Sequence, residues 1–342
     1  MSDIGIGVVG SGFMGRTYSE TLSKYCTRGR LKAVAAGSRA GQLAEDYAMD
    51  LEPSFEALIA RQDIDAVFIA TPHHVHAEQA IAAAGAGKHV LIEKPMACTV
   101  AECDAILDAC RKNNVHSSIA FTQRMRICNM RAKRIIADDR IGGIQQIAST
   151  QLNGGGVGTL PKWQSEVENL GTLFGHGIHN FDSIRWLTGQ EIKTVYAKCG
   201  SFEPGLKVEG TSMVVMSMSG GAFASLWSSF QMPRPSFPRA QFAARIVGER
   251  GLIDLDAYGE LRLSVGGGPW EVVETQAPID WQGKGFLDPV RLESYTRQCQ
   301  DFIDACIGNR PPLVTGWDGR QAVAAALAAY ESARSGKEVV LA

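Results

Sequence analysis

The chain has 342 residues, 45% of them hydrophobic and 20% charged, with a formal net charge of -2. This length exceeds what one small core usually supports, so two domains are expected. The near-neutral balance argues against nucleic acid or an anionic membrane surface as a partner, and no apolar run approaches the ~18 residues of a membrane span. In chain order, residues 4–9 form a short apolar run ending in glycines, and a helical pattern follows from Phe13 to Lys24. Further buried-strand runs lie at 31–36, 66–70, 89–92 and 115–121, separated by helical patterns at 40–49, 76–86 and 99–113. Thr99 is the expected N-cap of the last of these helices, with Glu102 at capping-box spacing. Alternating strands and helices of this kind predict a parallel, doubly wound α/β sheet over residues 1–122.

After Phe121 the pattern changes. A helix near 128–138 precedes runs at 144–153, 194–199, 208–217, 222–230, 243–248 and 251–256 that alternate with the two-residue period of a sheet covered on one face. Gln231–Ala240, with Pro233, Pro235 and Pro238, reads as loop or edge. Helices near 291–307 and 318–334 close the chain. Residues 123–342 are therefore expected to form an α+β domain with a mainly antiparallel sheet. The eight cysteines are scattered and include no C-x-x-C pair, which predicts reduced, buried thiols. The start, Met1-Ser2-Asp3, lacks the regions of a secretion signal, so a cytoplasmic location is expected.

Gly10-Ser11-Gly12-Phe13-Met14-Gly15 is a G-x-G-x-x-G run between a strand and a helix, the setting in which it binds a dinucleotide. The glycines permit a tight turn, close approach of backbone to a pyrophosphate and tight helix–strand packing; Phe13 and Met14 fall inside the same site. The second strand ends Ala36-Gly37-Ser38-Arg39, where a site preferring NAD usually carries an acid for the ribose hydroxyl. Ser38 and Arg39 suit a phosphate instead, so NADP is the expected cofactor, with NAD the alternative if Arg39 is only a solvated loop residue.

Three segments follow strands at the carboxyl edge where such sheets bind ligands: Thr71-Pro72-His73-His74-Val75-His76, Glu93-Lys94-Pro95 and Gln123-Arg124. Lys94 is the best acid/base candidate, because burial and a cationic nicotinamide ring lower a lysine pKa towards the useful range. His76 is expected near the cofactor ribose, with Thr71, Pro72 and Glu93 nearby. His73 and His74 either line the crevice or are exposed. Farther on, Gly171–Asp182 places His176 and His179 three residues apart, on one face if the segment is an α-helix. Two such ligands are too few for a closed metal site, and no metal is expected.

Gly10–Gly15, the run Ala86–Ala97 with its E-K-P, the segment Gly177–Asp182, and the closing Gly308–Pro312 and Ala329–Ala333 resemble the glucose–fructose oxidoreductase, inositol dehydrogenase and rhizopine-catabolism (Gfo/Idh/MocA) family. The resemblance spans essentially the whole chain. It implies a Rossmann domain followed by an α+β domain whose open sheet often builds dimers or tetramers. It also implies that Lys94 is the catalytic acid/base and that His179 binds or polarises the reacting oxygen. Arg124 matches a position near the nicotinamide, and Trp163 matches a pocket wall. Members commonly carry Asp four residues before the histidine; here that residue is Gly175. Either His176 or Asn180 takes over part of that contact, or His176 only packs. Asp182 is expected to cap or salt-bridge within its helix.

The reading that follows is an NAD(P)-dependent oxidoreductase acting on a secondary alcohol or carbonyl of a sugar, cyclitol or related polyol. Dehydrogenation of dihydrodiols or cyclic hemiacetals and NAD-assisted glycoside cleavage keep the fold and change the substrate. A nucleotide-sensing regulator is a third reading, against which the presence of Lys94 speaks.

Overall fold

The computed structural model describes residues 3–159 and 171–341. Trp163 lies outside them. The chain forms two compact units, one of residues Met1–Thr122 and Ile279–Arg320, the other of Gln123–Pro278 and Gln321–Ala342.

The first unit is built on six parallel strands: β1 (Ile4–Val9), β2 (Gly29–Ala35), β3 (Asp50–Leu51), β4 (Ala66–Ile69), β5 (His89–Ile92) and β6 (Ser117–Ile119). Their order is β3-β2-β1-β4-β5-β6. Every residue of β1 and β4 is buried, which is why both read as unbroken apolar runs rather than alternating ones. Crossovers α1 (Phe13–Lys24), α2 (Ala40–Tyr47), α3 (Phe55–Ala60), α4 (His76–Gly85) and α5 (Val100–Lys112) link the strands. Thr99 caps α5, and Glu102 returns the bond to the Thr99 amide, completing the expected capping box. The strand order reverses at β1, whose neighbours are β2 and β4, so the turns after β1 and β4 open the crevice where doubly wound sheets hold ligands.

The second unit begins with α6 (Ile127–Ala137) and holds a nine-stranded mixed sheet. Its strands are β7 (Ile144–Gly154), β8 (Ile192–Gly200), β9 (Thr211–Met218), β10 (Phe223–Met232), β11 (Ala243–Gly248), β12 (Gly251–Asp256), β13 (Glu260–Val265), β14 (Glu271–Thr275) and β15 (Val339–Val340). They lie in the order β14-β13-β12-β11-β7-β10-β9-β8-β15, and among the described residues only β7 and β10 pair in parallel. Burial alternates along β9 as one covered face requires. A π-helical turn, Leu173–Gly177, runs into α7 (Ile178–Thr188), which packs on β7. The sequence did not signal β13 and β14: β14 is an edge strand with no buried residue, so it carries no apolar period.

The closing helices are α8 (Pro289–Gly308) and α9 (Gly316–Ser335). Residues 279–320 cluster with the first unit, where the sequence reading had put everything after 122 in the second. The cause is the apolar face of α8. Leu292, Cys299, Phe302 and Ile303 are wholly buried, and the Phe302 ring meets Phe68 of β4 edge-on at 5.7 Å. All eight cysteines are free thiols.

Candidate active site

The turn after β1 is shaped by what backbone geometry forbids. Gly10 has φ +105°, and a Cβ there would lie 2.5 Å from the Ala70 carbonyl oxygen at the end of β4. A Cβ on Gly15 would lie 1.9 Å from the Gly10 carbonyl oxygen, so only glycine lets α1 start this close to the strand. Gly12 faces open space among the described residues and is the N-cap of α1 without a side-chain cap bond. The first amides of α1 are thus directed at an open position, the arrangement that accepts a pyrophosphate. A cleft of about 490 Å³ opens there, bordered by Ser11, Gly12, Phe13, Arg16, Arg39 and Lys284 among others. Its size suits an adenosine moiety, and no acidic side chain lines it among the described residues.

Sequence reasoning missed several of these residues. Ser11 is buried, and its Oγ accepts the Arg39 amide at 3.1 Å, joining the turn after β1 to the turn after β2. Ser38 and Arg39 are exposed on that second turn. Phe286, from the 279–320 segment, meets Phe13 with ring centroids 3.9 Å apart. Buried Arg291 fixes this contact: it donates to the Phe286 carbonyl at 2.6 Å and to the Tyr295 hydroxyl at 2.9 Å, with its guanidinium 5.0 Å from the Phe13 ring. The only advance signal for Arg291 was its place in an apolar helix. Met14 lies within the G-x-G-x-x-G run, and its half-buried side chain packs against the core.

The turn after β5 carries Glu93-Lys94-Pro95, with a cis Lys94–Pro95 bond. Burial lowers the Lys94 pKa, and the neighbouring Glu93 charge opposes part of that shift. Glu93 turns inward: Tyr18 donates to its carboxylate at 2.6 Å and the Lys94 amide at 3.1 Å, while burial raises its pKa. Its expected contact with the cofactor is therefore corrected to a bracing role. His76 is corrected likewise. It is 1% exposed; its Nδ1 lies 2.8 Å from the Pro95 carbonyl oxygen and its Nε2 2.8 Å from that of Thr71. Burial takes its pKa down to about 4. The imidazole ties the Thr71 turn to the lysine turn, and neither nitrogen is directed at a ribose. Thr71 donates to Gln79 at 2.6 Å. His73 is buried, while His74 and Pro72 are exposed.

In the second unit, His176 sits in the π-helical turn and His179 in the first turn of α7. The wider turn replaces the α-helical spacing expected between them; such bulges recur at functional sites. The two rings lean on different aromatic partners. His176 lies 4.6 Å from Phe230 of β10, and His179 meets Phe242 edge-on at 5.8 Å. A Cβ at Gly175 would meet nothing within 4 Å among the described residues, so crowding does not enforce the missing acid.

Two neighbours have other commitments. Asn180 is 3% exposed and donates to Ser149 Oγ at 2.8 Å and the Thr150 carbonyl at 3.4 Å, so its amide points into β7 rather than towards a substrate. Arg124, expected near the nicotinamide, makes a bidentate pair with Asp182 at 2.9 and 2.5 Å. Both are buried, and a buried carboxylate demands such a partner, which corrects the idea that Asp182 pairs within its own helix. Among the described residues no group of three or more metal-ligating side chains is placed to hold an ion, and no helix is long and apolar enough to cross a membrane.

Residues 4–121 match a family described as GFO/IDH/MocA oxidoreductases with an NAD-binding Rossmann fold, and residues 129–254 match the GFO/IDH/MocA C-terminal domain. The chain is similar to inositol 2-dehydrogenase 2 of Saccharopolyspora erythraea, 28% identical over 97% of this chain and 93% of that protein. It is also similar to a solved levoglucosan dehydrogenase in complex with NADH and levoglucosan, with TM-score 0.88 and 25% identity over 99% of each chain. Aldose-aldose oxidoreductase of Caulobacter crescentus superposes with TM-score 0.84 and 25% identity over 99% of this chain and 100% of that one.

Proposed function

Since the chain belongs to the GFO/IDH/MocA oxidoreductase family, we propose that it is a nicotinamide-dependent dehydrogenase of a secondary alcohol or carbonyl in a sugar, cyclitol or related polyol. The inositol and levoglucosan enzymes it is similar to support that substrate class. The observation that carries the reading is Lys94, a half-buried lysine of lowered pKa on the turn after β5, one strand from the crevice at β1 and β4.

The dinucleotide supplies the hydride acceptor or donor when bound. Gly10, Gly12 and the α1 amides hold its pyrophosphate. Lys94 takes the hydroxyl proton during oxidation and returns it during reduction. His179 binds the reacting oxygen. With Asn180 committed to β7, His176 is the side chain we assign to the contact that Gly175 leaves without a carboxylate. The test is a panel of polyols and aldoses run with both nucleotides, on the wild type and on Lys94→Ala. Nucleotide turnover in the wild type that Lys94→Ala abolishes supports the reading. Full activity in that variant overturns it.

The finer cofactor reading is NADP. Arg16, Arg39 and Lys284 line the cleft, Ser38 stands where an acid would select against a 2′-phosphate, and Arg39 is exposed to receive one. Tighter binding of NADPH than NADH by fluorescence titration is the expected result; equal affinities would make the site permissive. We also propose that the outer face of the second sheet joins copies of this chain. Met213 is 58%, Val215 56% and Phe223 64% exposed; Val215 stands beside Tyr196 across the strand pair, and Met213 beside Trp227. Light scattering after size exclusion should show a dimer or tetramer that Met213→Glu with Val215→Glu breaks. The eight free thiols suit a reducing, cytoplasmic setting.

A further inference from the structure

The histidine turn is held from outside by a carboxyl group that plays no part in the chemistry above. Glu209, just before β9, is half-buried. Its Oε1 accepts the Leu173 amide at 2.5 Å, the Thr172 hydroxyl at 3.2 Å and the Tyr330 hydroxyl at 3.0 Å. The Tyr330 oxygen in turn accepts the Phe174 amide at 3.1 Å. Leu173 and Phe174 open the π-helical turn that carries His176, so both bonds hold the backbone at the start of that turn. Gly171 belongs to the same device. It has φ +86°, and a Cβ there would lie 1.9 Å from Glu209 Oε2, so no other residue lets the carboxyl seat against the turn.

We infer that Glu209 is a positioning residue for the substrate-binding histidines, and that its protonation state sets how firmly the turn Gly171–His179 is held. Burial pushes its carboxyl up to about 7, against the opposing hydrogen bonds from Leu173, Tyr330 and Thr172. The titratable groups facing it among the described residues are Tyr330 of α9 and Cys199 of β8. Burial holds the tyrosine well above its ordinary value and takes the thiol up to about 11, so neither ionises near neutrality. The sign follows from linkage. Opening the turn returns Glu209 to water and to its ordinary acidity, so the open form releases a proton that the closed form keeps. Opening therefore becomes easier as pH rises from the ordinary carboxyl range to about 7, and levels off above it. Substrate affinity should weaken along the same limb.

The inference rests on the dehydrogenase reading only for its catalytic consequence, and two measurements separate them. The first is amide hydrogen exchange of peptides beginning at Gly171, corrected for intrinsic rate, between pH 5.5 and 8. Wild-type protection should fall about ten-fold between pH 5.5 and 7 and then flatten. Glu209→Gln keeps the shape of the neutral acid and should remove the Glu209 slope; any slope left in it belongs to His176 and His179, which both proteins share. Tyr330→Phe keeps the carboxyl and should lower protection at every pH while retaining the slope. The second is steady-state kinetics with the best polyol of the panel. KM should rise with pH in the wild type and stay flat in Glu209→Gln, with kcat following the same profile in both. A flat wild-type exchange profile, or an unchanged slope in Glu209→Gln, would sink the inference. Should Glu209→Gln fail to fold, the wild type and Tyr330→Phe decide. Absence of turnover on every polyol would fail the dehydrogenase reading and leave the exchange result to judge this one.

Discussion

The glycine turn after β1 and the histidine turn that leads into α7 are held in place in opposite ways. The glycine turn is shaped by exclusion: backbone atoms of Gly10 and Ala70 leave no room for side chains, and the geometry follows from a few residues of one run. The histidine turn is shaped by attachment. Its amides are taken up by Glu209 and Tyr330, 36 and 156 residues away in sequence, and its imidazoles lean on Phe230 and Phe242. A site made of backbone is written locally and is hard to tune. A site made of side chains depends on distant partners and can change its pH response or its substrate through any one of them.

Substitutions at four positions test that contrast. The largest effect is expected at Lys94, on the locally encoded side. Lys94→Ala should lower kcat by ~10²–10⁴ while nucleotide affinity, measured by fluorescence titration, changes by less than about two-fold. Because burial lowers this pKa, the neutral amine that accepts a proton forms at lower pH than in an ordinary lysine. Oxidation in the wild type should therefore speed up as pH rises through that value and reduction should slow; identical pH profiles in both directions would remove Lys94 from the chemistry. Next comes the attached side. Arg124→Met leaves Asp182 buried without its bidentate partner, and urea unfolding should show a loss of ~3–5 kcal/mol, much of it recovered when Asp182→Leu is added. A loss no larger than a surface substitution would mean the pair does not brace α7.

A smaller effect tests the cleft. Arg39→Ala should weaken NADPH binding about ten-fold, one charged hydrogen-bonded contact, with NADH affinity nearly unchanged. Equal losses for both nucleotides would place Arg39 on the adenine instead. The smallest is Gly175→Asp. Since a side chain there meets open space among the described residues, stability should stay within about 0.5 kcal/mol. A change in the order of preferred polyols, read as kcat/KM across the panel, would show that the glycine shapes selectivity.

What could be read without the structure was what repeats at short range. The buried runs of β1, β4 and β5, the capping box of α5, the G-x-G-x-x-G turn and the E-K-P turn depend on neighbours a few residues apart, so pattern and propensity suffice. Where a side chain points is another matter. His76 and Arg124 have the right chemistry in the right segments for cofactor binding, yet one is locked between two carbonyl oxygens and the other against a buried carboxylate 58 residues away. Nor does the apolar face of α8 say in sequence which core it joins; Phe68 of β4 decides it, and with it the place of Phe286 beside the cleft. The fold class and the G-x-G-x-x-G turn were legible in the sequence, and so was Lys94 as the acid/base candidate. The tertiary structure alone decided which polar groups are left for ligands, because burial obliges each buried donor and charge to find its partner before any remains for a ligand.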